Sequence, residues 1–459
     1  MTIREHEVVI AGGGPTGMML AAELRLAGVD VVVVERRTTP ELASARGRGL
    51  HARTIELLDQ RGIAERFISK GQRAQVAAFG GTVLDISDFP TRHNYGLALV
   101  QSQFELVLAQ WVTEIEVTFL RGCDVTGFTQ DDAGVDVALS DDRSLRAKWL
   151  VGCDGGRSLV RKTAGIEFPG WDASISYMIA EATMTSPAYG LRRDAKGTYA
   201  IGPHDAGGGK VGLVIRDERV EVGEPSMSDL RDALVALYGT DFDVRDVTYL
   251  SRFTDATRQA ASYRSGRVLI AGDAAHVHSP MGGQGLNLGI HDAFNLGWKL
   301  ARVVHGASPE TLLDTYQAER HPITARVLRT TMAQTALSRV DERTKALGET
   351  VAELVSVPEA RKRWAGFMSG LDIRYDLGGT HPLVGRRMPD LEIEIEGKAT
   401  RVYSLMHDAR PLFLSFGAPI QSATVARYTG TWELPVIGEV AAPTAVRVRP
   451  DGYVEWVAL

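Results

Sequence analysis

Two kinds of residue in the stretch Arg267–Trp298, RVLIAGDAAHVHSPMGGQGLNLGIHDAFNLGW, could hold a ligand. Asp273 is acceptor-only when ionised and suits a polyol chain such as a ribityl. Gly282, Gly283 and Gly285 let the backbone approach a ligand closely. Behind them, Leu286, Ile290, Phe294 and Trp298 recur every four positions, which keeps one face of a helix against a core. That helix begins just after the glycines, so its unpaired N–H groups and positive dipole end point into the loop and favour an electron-rich group. Val268, Leu269 and Ile270 form the short buried strand that ends beside Asp273. The plainer reading of this stretch alone is a βα unit with a capping aspartate.

A similar arrangement lies near the N-terminus. Glu7–Gly12 is a short apolar strand, and Gly12, Gly14 and Gly17 give GxGxxG directly after it. Ala21, Ala22, Leu24 and Leu26 continue as a helix to Gly28, and Val31–Val34 make the next strand, ending at Glu35. An acidic residue 18 positions after the last glycine completes the dinucleotide fingerprint. The glycines permit the tight turn and the pyrophosphate's approach, and Glu35 can hold ribose hydroxyls. An ADP-containing cofactor is expected, with Thr16 in the turn and Arg36 after Glu35 as further contacts. A purely structural βαβ unit is the alternative.

Two more stretches carry arginine or aspartate in glycine loops. In ARGRGLHARTIELLDQRG, Arg46 and Arg48 suit a pyrophosphate or an incoming phosphorylated nucleotide, because a guanidinium binds such oxygens bidentately. A solvated face is the alternative. In Trp149–Arg161, WLVGCDGGRSLVR, a strand ends at Cys153, Asp154–Gly156 form a loop, and Arg161 lies on the helix after it. That pair could bridge a cofactor and a second nucleotide, although alone the pattern reads as a turn and an N-cap.

The elements that position these residues follow from periodicity. Gln101–Trp111 reads as a helix, and Ile115–Phe119, Asp124–Thr129 and Val135–Leu139 as strands of a meander over the main sheet. Tyr177–Met184, Thr198–Gly202, Val211–Arg216 and Val247–Phe253 alternate as strands of an inserted antiparallel sheet, with a helix at Met227–Tyr238. That segment should carry the substrate pocket, and Arg216 at a strand end is a candidate substrate contact. A helical region runs from Pro309 to about Gly370, and strands at Leu391–Ile395, Pro411–Phe416 and Ala445–Val448 mark a separate C-terminal domain.

Composition bounds the class. A chain of 459 residues with 44% hydrophobic and 24% charged content is that of an ordinary globular protein, and 48 glycines suit nucleotide-binding loops. The net charge of -6 argues against nucleic acid or an anionic membrane surface as main partner. No run is long enough for a membrane span, and Arg4, Glu5, His6 and Glu7 interrupt any signal-peptide core, so a cytoplasmic location is expected. Cys123 and Cys153 lack CxxC spacing, and no metal site is indicated.

In combination, Gly12–Gly17 with Glu35, the Cys153–Asp154–Gly155 loop, and Ala271–Gly272–Asp273 resemble the three fingerprints of the single-component flavoprotein monooxygenases, the para-hydroxybenzoate hydroxylase superfamily. GRGLHARTIELLDQRG and the C-terminal extension look most like the aromatic polyketide hydroxylases and rifampicin monooxygenases. The resemblance implies an α/β plus α+β chain. Its Rossmann-like, glutathione reductase-type FAD-binding domain would span 1–75, 97–168 and 255–330, with a substrate sheet domain at 76–96 and 169–254. A helical connection at 331–380 and a thioredoxin-like domain at 381–459 would follow, the latter without CxxC and so without a redox role. Glu35 would hold the adenosine ribose, and Arg46 and Arg48 would meet the FAD pyrophosphate or NADPH. Gln101 of the QxxxE pattern would lie near the flavin, Asp273 on the ribityl, and Asp154 with Arg161 at both nucleotides. Gly283, the Pro280 carbonyl and the amides of Gly285, Leu286, Asn287 and Leu288 would surround the isoalloxazine ring.

The implied reaction is hydride transfer from transiently bound NADPH to FAD, addition of O2 at C4a, and delivery of the distal hydroxyl of that hydroperoxide to an aromatic or phenolic ring. No side-chain nucleophile is needed, and GxSxG is absent. The expected substrate is a bulky polycyclic natural product, in antibiotic biosynthesis or resistance, handled by a monomer or homodimer. His276 and His278 are expected to pack at a helix edge. A flavin reductase, or a flavin-bearing protein that only sequesters its ligand, are the alternatives; the halogenase signature WxWxIP is missing.

Overall fold

The structure is a computed structural model that describes residues 4–42, 47–194, 196–203, 210–217, 220–221 and 223–459. Its central sheet has five parallel strands in the order Thr118–Arg121, Val31–Glu35, Arg4–Ala11, Ser144–Gly152 and Val268–Ile270. Val31–Glu35 is buried at every position, because strands of a parallel sheet are covered on both faces, and it therefore reads as a run of valines. Helices Pro15–Leu26 and Gln284–Val304 pack against one another. Their contact depends on glycines: a Cβ on Gly289 would lie 2.1 Å from Thr16 Oγ1, and one on Gly297 2.5 Å from Glu23 Cβ.

The meander is present as Val125–Gln130, antiparallel to Val135–Leu139, which in turn pairs antiparallel with Ser144–Gly152. The strand expected at Ile115–Phe119 starts later, at Thr118. The preceding helix runs to Glu114, and Glu116 turns the chain with φ 59°.

The inserted sheet is antiparallel, ordered Gly190–Asp194, Gly197–Pro203, Lys210–Asp217, Ser176–Thr183, Arg245–Thr254. One face buries Met178, Ala180, Leu213 and Ile215 against Leu230 and Leu234 of helix Met227–Tyr238. A capping box of Ser226 and Asp229 and a left-handed Gly239 define that helix. The edge strand Gly190–Asp194 was not expected, since GLRRD shows almost no apolar alternation. The segment 76–96 does not join this sheet, contrary to expectation. Val76–Phe79 and Thr82–Asp85 pair only with each other and pack on helix Pro358–Ser369, where Phe79 stacks on Trp364 at 4.2 Å.

The helical region divides into Asp314–Leu337, Glu342–Ser356 and Pro358–Ser369, started by an Asp341 cap and by Pro358 at the first turn. The C-terminal segment holds a sheet ordered Thr424–Val425, Leu412–Ser415, Ala445–Val448, Val454–Ala458. Among its described residues there is no α-helix, only a short 3-10 turn at Tyr403–Met406. No helix among the described residues is long and apolar enough to cross a membrane.

Buried ion pairs dock this segment onto the rest. Arg449 forks onto Glu319 at 2.9 and 2.8 Å, Lys299 meets Glu319 at 3.0 Å, and Arg61 pairs with Glu23 while donating to the Met406 and Pro450 carbonyls. Removing one partner leaves a buried charge uncompensated. Glu319→Gln should therefore lower stability by about 3 kcal/mol, read as a lower denaturant midpoint, and should expose the C-terminal segment to limited proteolysis.

Candidate active site

Three backbone turns, far apart in sequence, meet in one groove of about 340 Å³. The glycine turn, the Cys153–Gly155 loop, and Asp273 with the start of helix Gln284–Val304 form its walls. A larger opening of about 810 Å³ between Ser262–Gly266 and Glu310–Ala318 is a surface cleft that none of these turns reaches.

The glycines of the first turn have separate duties. Gly12, at φ 102°, leaves room for Cys153, whose carbonyl oxygen would be 2.4 Å from a Cβ there. A Cβ on Gly17 would lie 2.0 Å from the Gly12 carbonyl oxygen. Gly14 has nothing within 4 Å of its Cβ position and so faces open space. It is also the N-cap of helix Pro15–Leu26, with no side-chain cap and no acidic residue in the first turn. Helix Gln284–Val304 likewise starts on an uncapped glycine, Gly283, in the left-handed region. Two sets of free helix N–H groups thus open on one groove, which suits an anionic or electron-rich ligand. A bare space at Gly14, unpaired N–H donors and an acidic residue at the far end together fit FAD.

At the far end, Glu35 accepts from the Gly13 N–H at 2.6 Å and from the Arg37 backbone and side chain at 2.9 Å each. Burial pushes its carboxyl up, but the Arg37 and Gly13 hydrogen bonds hold it below the usual carboxylate range. Arg37 also reaches Glu105, which accepts from Gln101 at 2.8 Å. Arg36 is exposed on the groove rim.

This architecture carries two family signatures. The FAD binding domain family matches residues 5–331, and the C-terminal family of aromatic-ring hydroxylases matches 381–459. The chain belongs to the FAD-dependent aromatic-ring hydroxylases. It is 43% identical to a 12-dehydrotetracycline 5-monooxygenase/anhydrotetracycline 6-monooxygenase of Streptomyces rimosus, over 99% of this chain and 95% of that one. It is 42% identical to a rifampicin monooxygenase of Streptomyces venezuelae, over 98% and 95% of the two chains. Among solved structures, an aromatic hydroxylase from angucycline biosynthesis superimposes with a TM-score of 0.91 at 38% identity, covering 98% of this chain and 96% of that one. The chain is thus a flavin-dependent monooxygenase, of a family with polyketide hydroxylases and rifampicin monooxygenases among its members.

In this hydroxylase Asp154 lines the groove while its carboxylate accepts from Ser158 Oγ at 2.5 Å and the Val160 N–H at 3.0 Å, so it also braces its own loop. Arg161 is not a bridge between two nucleotides. It is buried, donates to the Gly156 and Ala274 carbonyls, and lies 3.8 Å over the Phe168 ring, stapling the second turn to the third. Arg216 is buried and donates to the Ser338 carbonyl and hydroxyl at 2.9 and 3.0 Å, tying the inserted sheet to the end of helix Asp314–Leu337. Arg46 and the Arg48 side chain lie outside the described residues.

The residues from Pro280 to Leu288 are held from outside their loop. Asn287 accepts from the His51 N–H at 2.9 Å and donates to the Gly283 and Gly49 carbonyls at 2.8 and 3.3 Å. Its side chain is a strut between the two loops. The Pro280 carbonyl accepts from Gly283, Leu286 lines the groove, and Leu288 is buried. His276 is not at a helix edge. It is buried and 2.7 Å from Asp292, which also accepts from Gly272 N–H at 3.1 Å and Arg320 at 2.8 Å. Sequence reading named Glu105 only as the end of QxxxE and gave no role to Arg37, His51, Asp292 and Arg320. The QxxxE spacing pointed at Glu105, and an aspartate on the apolar helix pointed at Asp292.

Two outcomes follow from this packing. Gly14→Val should fold with an unchanged melting temperature yet lose FAD affinity at least tenfold by flavin fluorescence, whereas Gly17→Val should melt early or fail to fold. Burial pushes the Asp292 carboxyl up, but Arg320 and His276 hold it at about 2. Its folded-state value lies below its unfolded one, so its contribution of about 2 kcal/mol is present above pH 4 and lost as pH falls from about 4 to about 2. Asp292→Asn should flatten that part of the acid denaturation profile.

Proposed function

We propose that this chain is an NADPH- and O2-dependent hydroxylase of a bulky polycyclic aromatic natural product, of the polyketide or rifamycin type. The observation that carries this reading is the groove in which two uncapped helix starts, Asp273 and the Gly14 space converge. FAD, when bound there, supplies electron transfer from NADPH to O2 and delivery of one oxygen atom to a ring carbon. The chain's own part is placement and exclusion of water. Gly12, Gly14, Thr16 and Gly17 take the pyrophosphate, Glu35 and Arg36 the ribose side, and Asp154 and Asp273 the middle of the cofactor. Gln101 fixes Glu105 and, through Arg37, the Glu35 carboxylate. The amides of Gly285–Leu288 favour negative charge on the ring edge beside them.

The substrate side is the sheet face opposite helix Met227–Tyr238. Leu191, Ala200, Val214 and Ile179 pair across four strands on that face, and Leu191 and Val214 stay exposed. Such an open apolar row suits a large flat ligand. The names of the relatives, which act on anhydrotetracycline and rifampicin, support that class. The C-terminal sheet, with one parallel and two antiparallel pairings, we read as the sheet of a thioredoxin-like unit, without CxxC and structural in role.

The test is the visible spectrum of the purified protein, then NADPH oxidation in air with anhydrotetracycline, an angucyclinone and rifampicin. Bound flavin, NADPH loss stimulated by one of these, and a product heavier by one oxygen are expected. A protein that takes no flavin after reconstitution sinks the reading. Flavin that NADPH never reduces with any ligand moves it to a sequestering protein.

A further inference from the structure

His278 sits in the segment that links Asp273 to the central helix, and the family reading leaves it without a task. Its Nδ1 is 2.6 Å from the Ser279 carbonyl, so Nδ1 carries the proton and donates there. Its Nε2 is then a bare acceptor, buried and without a partner among the described residues. Leaving a buried acceptor unsatisfied costs about 1–3 kcal/mol, so the atom awaits a group from outside the chain. Its place is marked by Gly285: a Cβ there would stand 3.9 Å from His278 Nε2 and 4.0 Å from Asp273 Oδ1. Nε2 therefore lies beside the first turn of helix Gln284–Val304, next to the groove that Gly285 and Asp273 line. The neighbouring histidines are engaged elsewhere: His276 Nε2 with Asp292, His51 Nε2 with the Gly282 carbonyl, and His291 Nε2 with Thr54.

We propose that His278 contacts the bound flavin cofactor through Nε2 and takes up a proton when the flavin is reduced. The inference rests on the flavin reading above. The balance is simple: oxidised flavin gains two electrons and one proton to become a reduced anion, and His278 gains a second proton from solvent to become imidazolium. A nicotinamide hydride brings the two electrons and the first proton together. A cation formed beside an anion in a water-poor site is favoured by their mutual attraction. Before reduction the ring is neutral: burial and the nearby His276 lower its proton affinity, while the Ser279 carbonyl and Asp273 oppose them. Beyond His276, Asp292 and Arg320 form a closed pair on the central and long helices.

The experiment uses the holoenzyme, reduced anaerobically at a separated cathode through methyl viologen, a mediator that neither takes up nor releases protons, in weakly buffered solution at pH 7, with proton uptake counted from the pH change. Wild type should take up close to two protons per two electrons, and His278→Gln only one. His278→Phe should bind FAD about tenfold more weakly, and His278→Gln, whose amide oxygen can stand near the Nε2 position, should regain most of that. A merely packing role would alter neither the proton count nor the Gln rescue. A single proton in wild type, or two in His278→Gln, overturns the proposal while leaving the hydroxylase reading intact. A wild type that takes no flavin overturns both.

Discussion

A single fully buried carboxylate, Asp292, holds the cofactor groove together. An uncompensated charge at that depth would cost several kcal/mol, so its three donors are obligatory rather than ornamental. They come from different elements: the Gly272 amide at the end of the last parallel strand, His276 in the loop beyond it, and Arg320 on the long helix. Arg320 extends the tie to the Leu288 carbonyl and the Tyr375 hydroxyl. The position of Asp273, one residue after Gly272, thus depends on a helix about 50 residues downstream. Satisfying one charge sets the loop, the helix start and the brace behind them.

Around that anchor the groove is made of backbone more than of side chains. Gly14 and Gly283 begin helices without side-chain caps, and no acidic residue stands in either first turn. In an ordinary helix a cap would take those N–H groups; here they remain for a ligand. Side chains serve mainly to hold turns in place. Asn287 joins two loops more than 200 residues apart, Arg161 joins the second and third turns, and Arg37 joins Glu35 to Glu105. Such a scaffold suits a reaction whose bond-making belongs to the cofactor.

The C-terminal segment contributes from a distance. Arg449 meets Glu319 of the long helix, Glu319 also pairs with Lys299, and Asp451 accepts from Asn295 on the central helix, so the segment clamps the two elements that Asp292 and Arg320 also join. The Arg449 guanidinium further lies 5.1 Å over Trp298. A charged network of this kind is weak evidence for added stability, but it specifies one docking geometry because each charge has only one place to be neutralised.

Much was legible in the residues themselves. Glycine spacing, an alternating or continuous apolar run and a cap depend on neighbours in the chain, so the βαβ unit, the central helix, Met227–Tyr238 with its capping box, and three C-terminal strands could be read directly. The family and the flavin followed from motifs whose geometry is local. What the tertiary structure alone decided was where each long side chain is spent. Arg161 and Arg216 looked like ligand contacts because a guanidinium on a loop or strand end suits an anion, yet both satisfy buried carbonyls instead. His276, expected to pack, answers a carboxylate on a helix 16 residues away. Charge satisfaction and the search of buried polar groups for partners act through space between distant segments, and no local pattern records the outcome.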